Sequence, residues 1–349
     1  MKFGIIGGGF GYDCHYKALM NIKDAEIIGI TDSGSGNLIS RLSNTEKYFN
    51  SYDNLLSSEL DVISIVTPPS THWDYINKSL LKGINVFCEK PFCSSSKESL
   101  NSLNLVENLE LGNCVNFQYR FEPGIQFLKS QINNEIIGNV NFIKFTWLTS
   151  GKANPESPWT WRNDIKQGGG VINAFLVHAI DLIQWLTDSN IISVKNAESE
   201  IIVPNRRDLN SNQRDVTAED LIQVEFELSK NIFASCKVSN CIEESLGMRI
   251  IINGDNGELI YKHIPPFRSC DQSVFLKNKK IQKILFNAQD IIPPQISDTR
   301  VFSLTELYKI FMLSLKGQKN NHLPTFKTGY MIQKILDIIK NEKLNYKDF

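Results

Sequence analysis

Apolar residues concentrate in short runs through the first third of the chain, at 3–6, 25–31, 61–66, 84–88 and 113–117. Runs this short, bounded by glycine, proline or charged residues, read as strands buried on both faces. The intervening segments 13–20, 73–82 and 96–109 read as helices. Strands alternating with helices predict a parallel, doubly wound sheet. From about Pro123 the pattern changes. A helix over 124–133 precedes strand-like stretches at 140–147, 191–203, 221–228, 232–238, 248–252 and 258–261. Several of these alternate apolar and polar positions, which predicts an antiparallel sheet with one covered and one open face. Asn253-Gly254-Asp255-Asn256-Gly257 marks a hairpin turn. The run 171–186 is apolar nearly all round and reads as a buried helix. Residues 264–297 show little pattern, and a helix running to about Asn341 closes the chain.

The residues that break the first five runs carry the candidate chemistry. Run 3–6 leads into Gly7-Gly8-Gly9-Phe10-Gly11 and then a helix, the context of a dinucleotide-binding turn. Gly7 and Gly9 fit that fingerprint, but its third glycine comes one residue early, at Gly11. Run 25–31 ends in Asp32, placed where an acidic side chain meets an adenosine ribose and disfavours a 2′-phosphate. NAD is therefore the expected cofactor, with NADP as the alternative, since Ser33, Gly34 and Ser35 could line a phosphate pocket. Thr67-Pro68-Pro69 with His72, and Glu89-Lys90-Pro91, close the third and fourth runs. All of these fall on one sheet edge, where open α/β sheets bind ligands. The expected class is thus an α/β Rossmann domain over 1–121, followed by an α+β domain over 122–349 with a large, mostly antiparallel, open-faced sheet.

Composition narrows the class further. A chain of 349 residues with 42% hydrophobic and 21% charged residues is globular and long enough for two domains. A net charge of −1 gives no basic field for nucleic acid or an anionic membrane. Seven scattered cysteines without a CxxC pair suggest neither zinc nor a disulfide framework, and no metal site is read. With no signal-peptide core near the amino terminus, a cytoplasmic location is expected.

In the second domain, His178 and Asp181 lie one turn apart on the apolar helix that follows Gly168-Gly169-Gly170. They read either as a satisfied core pair or as site residues. Trp161 and Arg162 precede the glycines in a Pro-flanked loop. They suit stacking on a sugar and anchoring of a phosphate or carboxylate, or equally a hydrophobic plug.

These motifs together resemble the Gfo/Idh/MocA family, the glucose–fructose oxidoreductases and inositol dehydrogenases, along nearly the whole chain. Gly7-x-Gly9-Phe10-Gly11 with His15, Thr67-Pro68-Pro69 with His72, Glu89-Lys90-Pro91, and Tyr119-Arg120-Phe121 carry the likeness. The resemblance implies an NAD(P)-dependent oxidoreductase acting on a carbinol of a sugar, an inositol or a nucleotide sugar. It implies Gly7, Gly9, Phe10, Gly11, Asp32, Thr67, Pro68, His72, Glu89 and Lys90 at the cofactor. Lys90 and His178 would be catalytic, with Glu89 orienting Lys90 and Asp181 setting the tautomer of His178. Tyr119, Arg120, Trp161, Arg162 and Asn173 would approach the substrate. It also implies homodimers or homotetramers through the open sheet. One departure stands out: Ala174 occupies the place of a second family aspartate. Two rival readings follow, a redox-neutral enzyme that cleaves or epimerises glycosides with NAD, and a non-catalytic sugar- or cofactor-sensing regulator.

Overall fold

The computed structural model describes residues 1–32, 38–42, 47–268, 270–278, 282–290 and 299–345. Ser33, Gly34 and Ser35 lie outside the described residues. The chain divides into two compact units, Met1–Gln118 with Arg300–Lys334 and Tyr119–Thr299 with Ile335–Phe349.

In the first unit β1 (Lys2–Ile6), β2 (Glu26–Thr31), β3 (Val62–Ile65), β4 (Asn85–Cys88) and β5 (Asn113–Val115) form a sheet in the order β2-β1-β3-β4-β5. Every pairing in it is parallel. β3 is buried at all four positions, in keeping with its three apolar residues, and its one polar residue, Ser64, is buried with them. Beyond β2 the backbone of Ile30 bonds to Lys47 and Phe49, adding a short parallel bridge at that edge. Helices α1 (Lys17–Met20), α2 (Tyr52–Leu55), α3 (His72–Leu81) and α4 (Ser96–Asn108) connect the strands. Ser51 and Ser95 cap α2 and α4 by accepting the N–H groups of Asn54 and Glu98.

The second unit opens with α5 (Pro123–Asn133) and β6 (Val140–Leu148), and its central helix α6 (Val177–Thr187) follows a π-helical turn, Ile172–Leu176. The apolar stretch Ile165–Thr187 is long enough to cross a membrane, yet 78% of its most apolar window is buried inside the protein. Strands β7 (Ile191–Glu200), β8 (Asn205–Arg207), β9 (Gln213–Asp215), β10 (Leu221–Leu228), β11 (Ile232–Ser239), β12 (Gly247–Gly254) and β13 (Gly257–His263) follow. β14 (Gln272–Lys277) and β15 (Gln282–Asn287) then fall in the stretch where the sequence shows little pattern. Eight of these strands make one sheet, ordered β15-β14-β13-β12-β6-β11-β10-β7, and β8 pairs with β9 apart from it. Only β6 and β11 pair in parallel; the remaining pairs of the large sheet are antiparallel.

Alternation gives this sheet its two faces: on β6, Ile143, Phe145 and Trp147 are buried while Lys144 is exposed. Register places Glu225, Glu227 and Glu198 on the open face at the β10–β7 side. Lys237, Lys144, Arg249, Lys262 and Lys277 occupy the same face toward β14.

Two helices finish the chain, α7 (Thr299–Leu315) and α8 (Phe326–Asn345). The sequence division at residue 121 places α7 with the second domain, whereas its contacts place it in the first unit. Tyr308 explains why. Its ring stacks on Phe87 of β4 at 4.2 Å, and it lies edge-on to Phe3 of β1 at 5.8 Å.

Candidate functional site

The glycine turn after β1 is shaped by β3. Gly7 has φ 120°, and a side chain there would place its Cβ 2.2 Å from the carbonyl oxygen of Val66. Gly11 opens a π-helical turn, Gly11–Tyr16, and its Cβ would stand 3.2 Å from Ile5. It thus takes the place of close helix–strand packing despite arriving one residue early. Gly9 differs from both: a Cβ added there meets no protein atom within 4 Å. Asp32 lies alongside this turn, since a Cβ on Gly8 would come within 3.0 Å of its own Cβ. The Tyr48 hydroxyl donates to Asp32 Oδ1 at 3.0 Å. Phe10 is half-buried, with the Arg300 guanidinium 5.4 Å from its ring centroid.

Thr67 and Pro68 stand at the carboxyl end of β3, Thr67 half-buried and Pro68 exposed. His72 does not stand with them as a surface contact. It is buried, with Nε2 2.8 Å from the Thr67 carbonyl and Nδ1 3.1 and 3.2 Å from the carbonyls of Pro91 and Phe92. Burial holds its imidazole below the usual histidine range, against the pull of those carbonyls. His72, expected at the cofactor, joins the β3 and β4 turns through these carbonyls.

Glu89 is likewise turned inward. Its Oε1 accepts from Asn116 Nδ2 and meets His15 Nε2 at 2.9 Å, while Oε2 accepts the Lys90 N–H at 3.1 Å. The chain of contacts continues from His15 Nδ1 to the Tyr308 hydroxyl at 2.7 Å, and from there to Ser64 Oγ at 2.7 Å. Burial alone would raise the Glu89 carboxyl, but His15, Lys90 and Asn116 outweigh it and hold the group below the usual range. Glu89 orients Lys90 through its backbone, as an anchored carboxylate in a buried polar network. The Lys90 side chain is half-buried at the sheet edge, and the Lys90–Pro91 bond is cis.

In the second unit His178 sits in an aromatic frame. Tyr119 meets its ring edge-on at 4.7 Å, Trp147 lies at 6.3 Å, and Trp147 packs edge-on against Phe175 at 4.5 Å. Asp181 does not serve His178 here. Arg120 Nε and Nη2 donate to its two oxygens at 2.9 and 2.5 Å, with both residues buried. Burial pushes the Asp181 carboxyl up, and Arg120 pulls it back. Asp181, expected to set the tautomer of His178, and Arg120, expected at the substrate, are paired with each other.

Asn173 is nearly buried, its Nδ2 donating to the Gly168 and Gly169 carbonyls at 3.0 and 3.2 Å. Lys340 Nζ donates to its Oδ1 at 3.0 Å. Regular helical geometry separates Asn173 from the Ala174 position by about 100°. A wider, π-helical turn spans Ile172–Leu176 and includes both Asn173 and Ala174. Trp161 and Arg162 form a short 3₁₀ turn in which the Arg162 guanidinium lies 4.9 Å from the Trp161 ring centroid.

The chain matches the model of an oxidoreductase family with an NAD-binding Rossmann fold over residues 1–117. The model of that family's C-terminal α/β domain matches over residues 129–343. An uncharacterised oxidoreductase of Synechocystis sp. is 24% identical over 347 residues, covering 96% of this chain and 92% of the relative. Glucose-6-phosphate 3-dehydrogenase of Bacillus subtilis is 25% identical over 357 residues, covering 99% and 97%. Among solved structures, levoglucosan dehydrogenase in complex with NADH and levoglucosan aligns with TM-score 0.84 at 20% identity, over 98% of this chain and 96% of that one.

Proposed function

The chain belongs to the Gfo/Idh/MocA family of NAD-dependent oxidoreductases, and from that premise we propose that it oxidises a carbinol of a sugar or sugar derivative. The observation that carries this reading is the edge of the first sheet. There Gly9 leaves unfilled space beside an aspartate already fixed by a tyrosine. Such a turn suits a pyrophosphate, and the Asp32 carboxylate suits a ribose hydroxyl while opposing the 2′-phosphate of NADP. NAD, when bound, supplies the acceptor for the hydride that leaves the substrate carbon. Lys90 donates to the reacting oxygen and stabilises its growing negative charge, and His178 takes its proton. Tyr119 and Trp147 hold the His178 ring by their edges and faces. Thr67 and Pro68 line the cofactor turn, with His72 and Glu89 behind it. The dehydrogenase relatives of glucose 6-phosphate and levoglucosan support a sugar as substrate.

A panel of sugars, inositols and nucleotide sugars, followed by NADH absorbance, tests the reading. Net NADH formation is expected with at least one of them. Sugar conversion without NADH accumulation would replace it with a redox-neutral reaction, and NAD binding without any conversion would replace it with a sensor. Gly9→Ala is expected to leave the thermal midpoint unchanged, because the new methyl touches no protein atom, while weakening NADH binding in titration calorimetry.

The open sheet face is proposed to join two copies about a twofold axis. Its acidic β10–β7 side would meet the basic side of a second copy. Light scattering should then show a dimer that weakens as salt rises; a monomer at every concentration and salt would remove this idea.

A further inference from the structure

Arg206 of the second unit is bonded to the loop that follows β6 at Lys152, the charge of Arg162 is felt at Lys152, and none of the three forms an ion pair with a carboxylate among the described residues. Arg206, on β8, is 2% exposed, and it donates from Nη2 to the Lys152 carbonyl at 2.5 Å and from Nη1 to the Asn154 carbonyl at 2.7 Å. A longer contact of 3.5 Å reaches the Ser157 carbonyl, and Nε has no acceptor. The guanidinium is thus buried beneath the loop, held chiefly by its carbonyls.

Lys152 lies directly over it. Its N–H donates to the Asn240 carbonyl at 2.8 Å, and its own carbonyl also receives Cys241 Sγ at 3.2 Å, so the loop is fixed from both sides. Burial, then the charges of Arg206 and Arg162, hold the half-buried Lys152 ammonium below the usual lysine range. Asp220 is the acid that opposes this, and its Oδ2 already accepts the N–H groups of Ile202 and Val203 at 3.1 Å. Arg162 completes the group. Its guanidinium lies against the Trp161 ring, which leaves its donating edge available. Its carbonyl accepts the Gly170 N–H at 3.1 Å, tying it to the glycine turn that starts the helix bearing His178.

Like charges repel, and the repulsion between the buried Arg206 and the half-buried Lys152 is poorly screened, with Arg162 on the exposed side of the loop. An oxyanion would relieve it and satisfy donors that no protein group now uses. We propose that Lys152 and Arg162, backed by the buried Arg206, bind an anionic substituent of the substrate, a phosphate or carboxylate carried by the sugar. The inference rests on the sugar-oxidoreductase reading and narrows its substrate class. Arg206 is the fixed charge beneath the site.

Titration of the full chain with NADH present tests this by binding, independently of turnover. The probes are glucose, glucose 6-phosphate, glucuronate, myo-inositol, an inositol phosphate and inorganic phosphate. At least one charged sugar is expected to bind about 10-fold or more tightly than its neutral parent, the range for a hydrogen bond to a charged group. That preference should shrink with added salt and fall about 10-fold in Lys152→Gln and in Arg162→Gln. Lys319→Gln, an exposed lysine of the first unit, should leave it in place. Equal affinity for charged and neutral sugars, or a preference untouched by Lys152→Gln, overturns the proposal. So does inorganic phosphate binding as tightly as the sugar phosphates, which would make the site one for a free anion. Retained NADH binding in those cases leaves the oxidoreductase reading to stand or fall on the turnover panel.

Discussion

Lys90→Met is expected to lower kcat by about 10²–10³-fold, the loss typical when one donor to a developing oxyanion is removed, while NADH affinity changes only a few-fold. One reason to expect a clean result is the backbone contact at position 90. The Lys90 N–H donates to Glu89 Oε2, and methionine keeps that N–H. Glu89 retains His15 and Asn116 as partners, so the buried network should survive. Steady-state kinetics on the best substrate of the panel, with NADH titration of the same protein, checks both halves. Full activity in the variant would remove Lys90 from the chemistry. Loss of NADH binding would instead make it a cofactor ligand.

The second large effect concerns stability. Arg120→Met strands a buried Asp181 carboxylate, and breaking a buried pair from one side costs about 3–5 kcal/mol. For a unit of this size that corresponds to a fall of roughly 6–20 °C in the melting midpoint. The double variant Arg120→Met/Asp181→Leu should recover most of the loss, because an apolar pair of similar volume removes both desolvated charges. It should also keep turnover. This separates the observed pairing from the sequence expectation: if Asp181 set the tautomer of His178, the double variant would fold well and fail in catalysis. Calorimetric midpoints and kcat on the same samples decide between them.

The strand ends of the first sheet were legible because each needs an unusual residue for a local reason. A positive φ at Gly7, or charge directly behind a buried strand at Glu89-Lys90, is visible within a few residues. Which way those side chains turn was not visible. His72 and Glu89 face inward because Pro91, His15 and Asn116 are brought to them by the sheet. The same holds for Asp181: helical spacing puts it one turn from His178, but Arg120 lies sixty-one positions away in sequence. The α7 helix could have been found. Leu304, Leu307, Tyr308, Phe311 and Met312 are buried and recur at helical spacing. β14 and β15 lacked a comparable signal, with β15 showing no buried position. Nothing local to Arg206 announces the three carbonyls that surround it.

The placement of α7 bears on how the chain is made. The dinucleotide-binding unit combines residues 1–118 with 300–334, so its core spans nearly the whole polypeptide. During synthesis the amino-terminal strands emerge first, yet His15, Ser64 and Phe87 must wait for Tyr308. Domains commonly fold in order as they leave the ribosome, but here the second unit's strands emerge before the first unit can close. A nascent chain stalled before residue 300 should therefore carry an exposed Phe87 surface, a natural point for a chaperone to hold it.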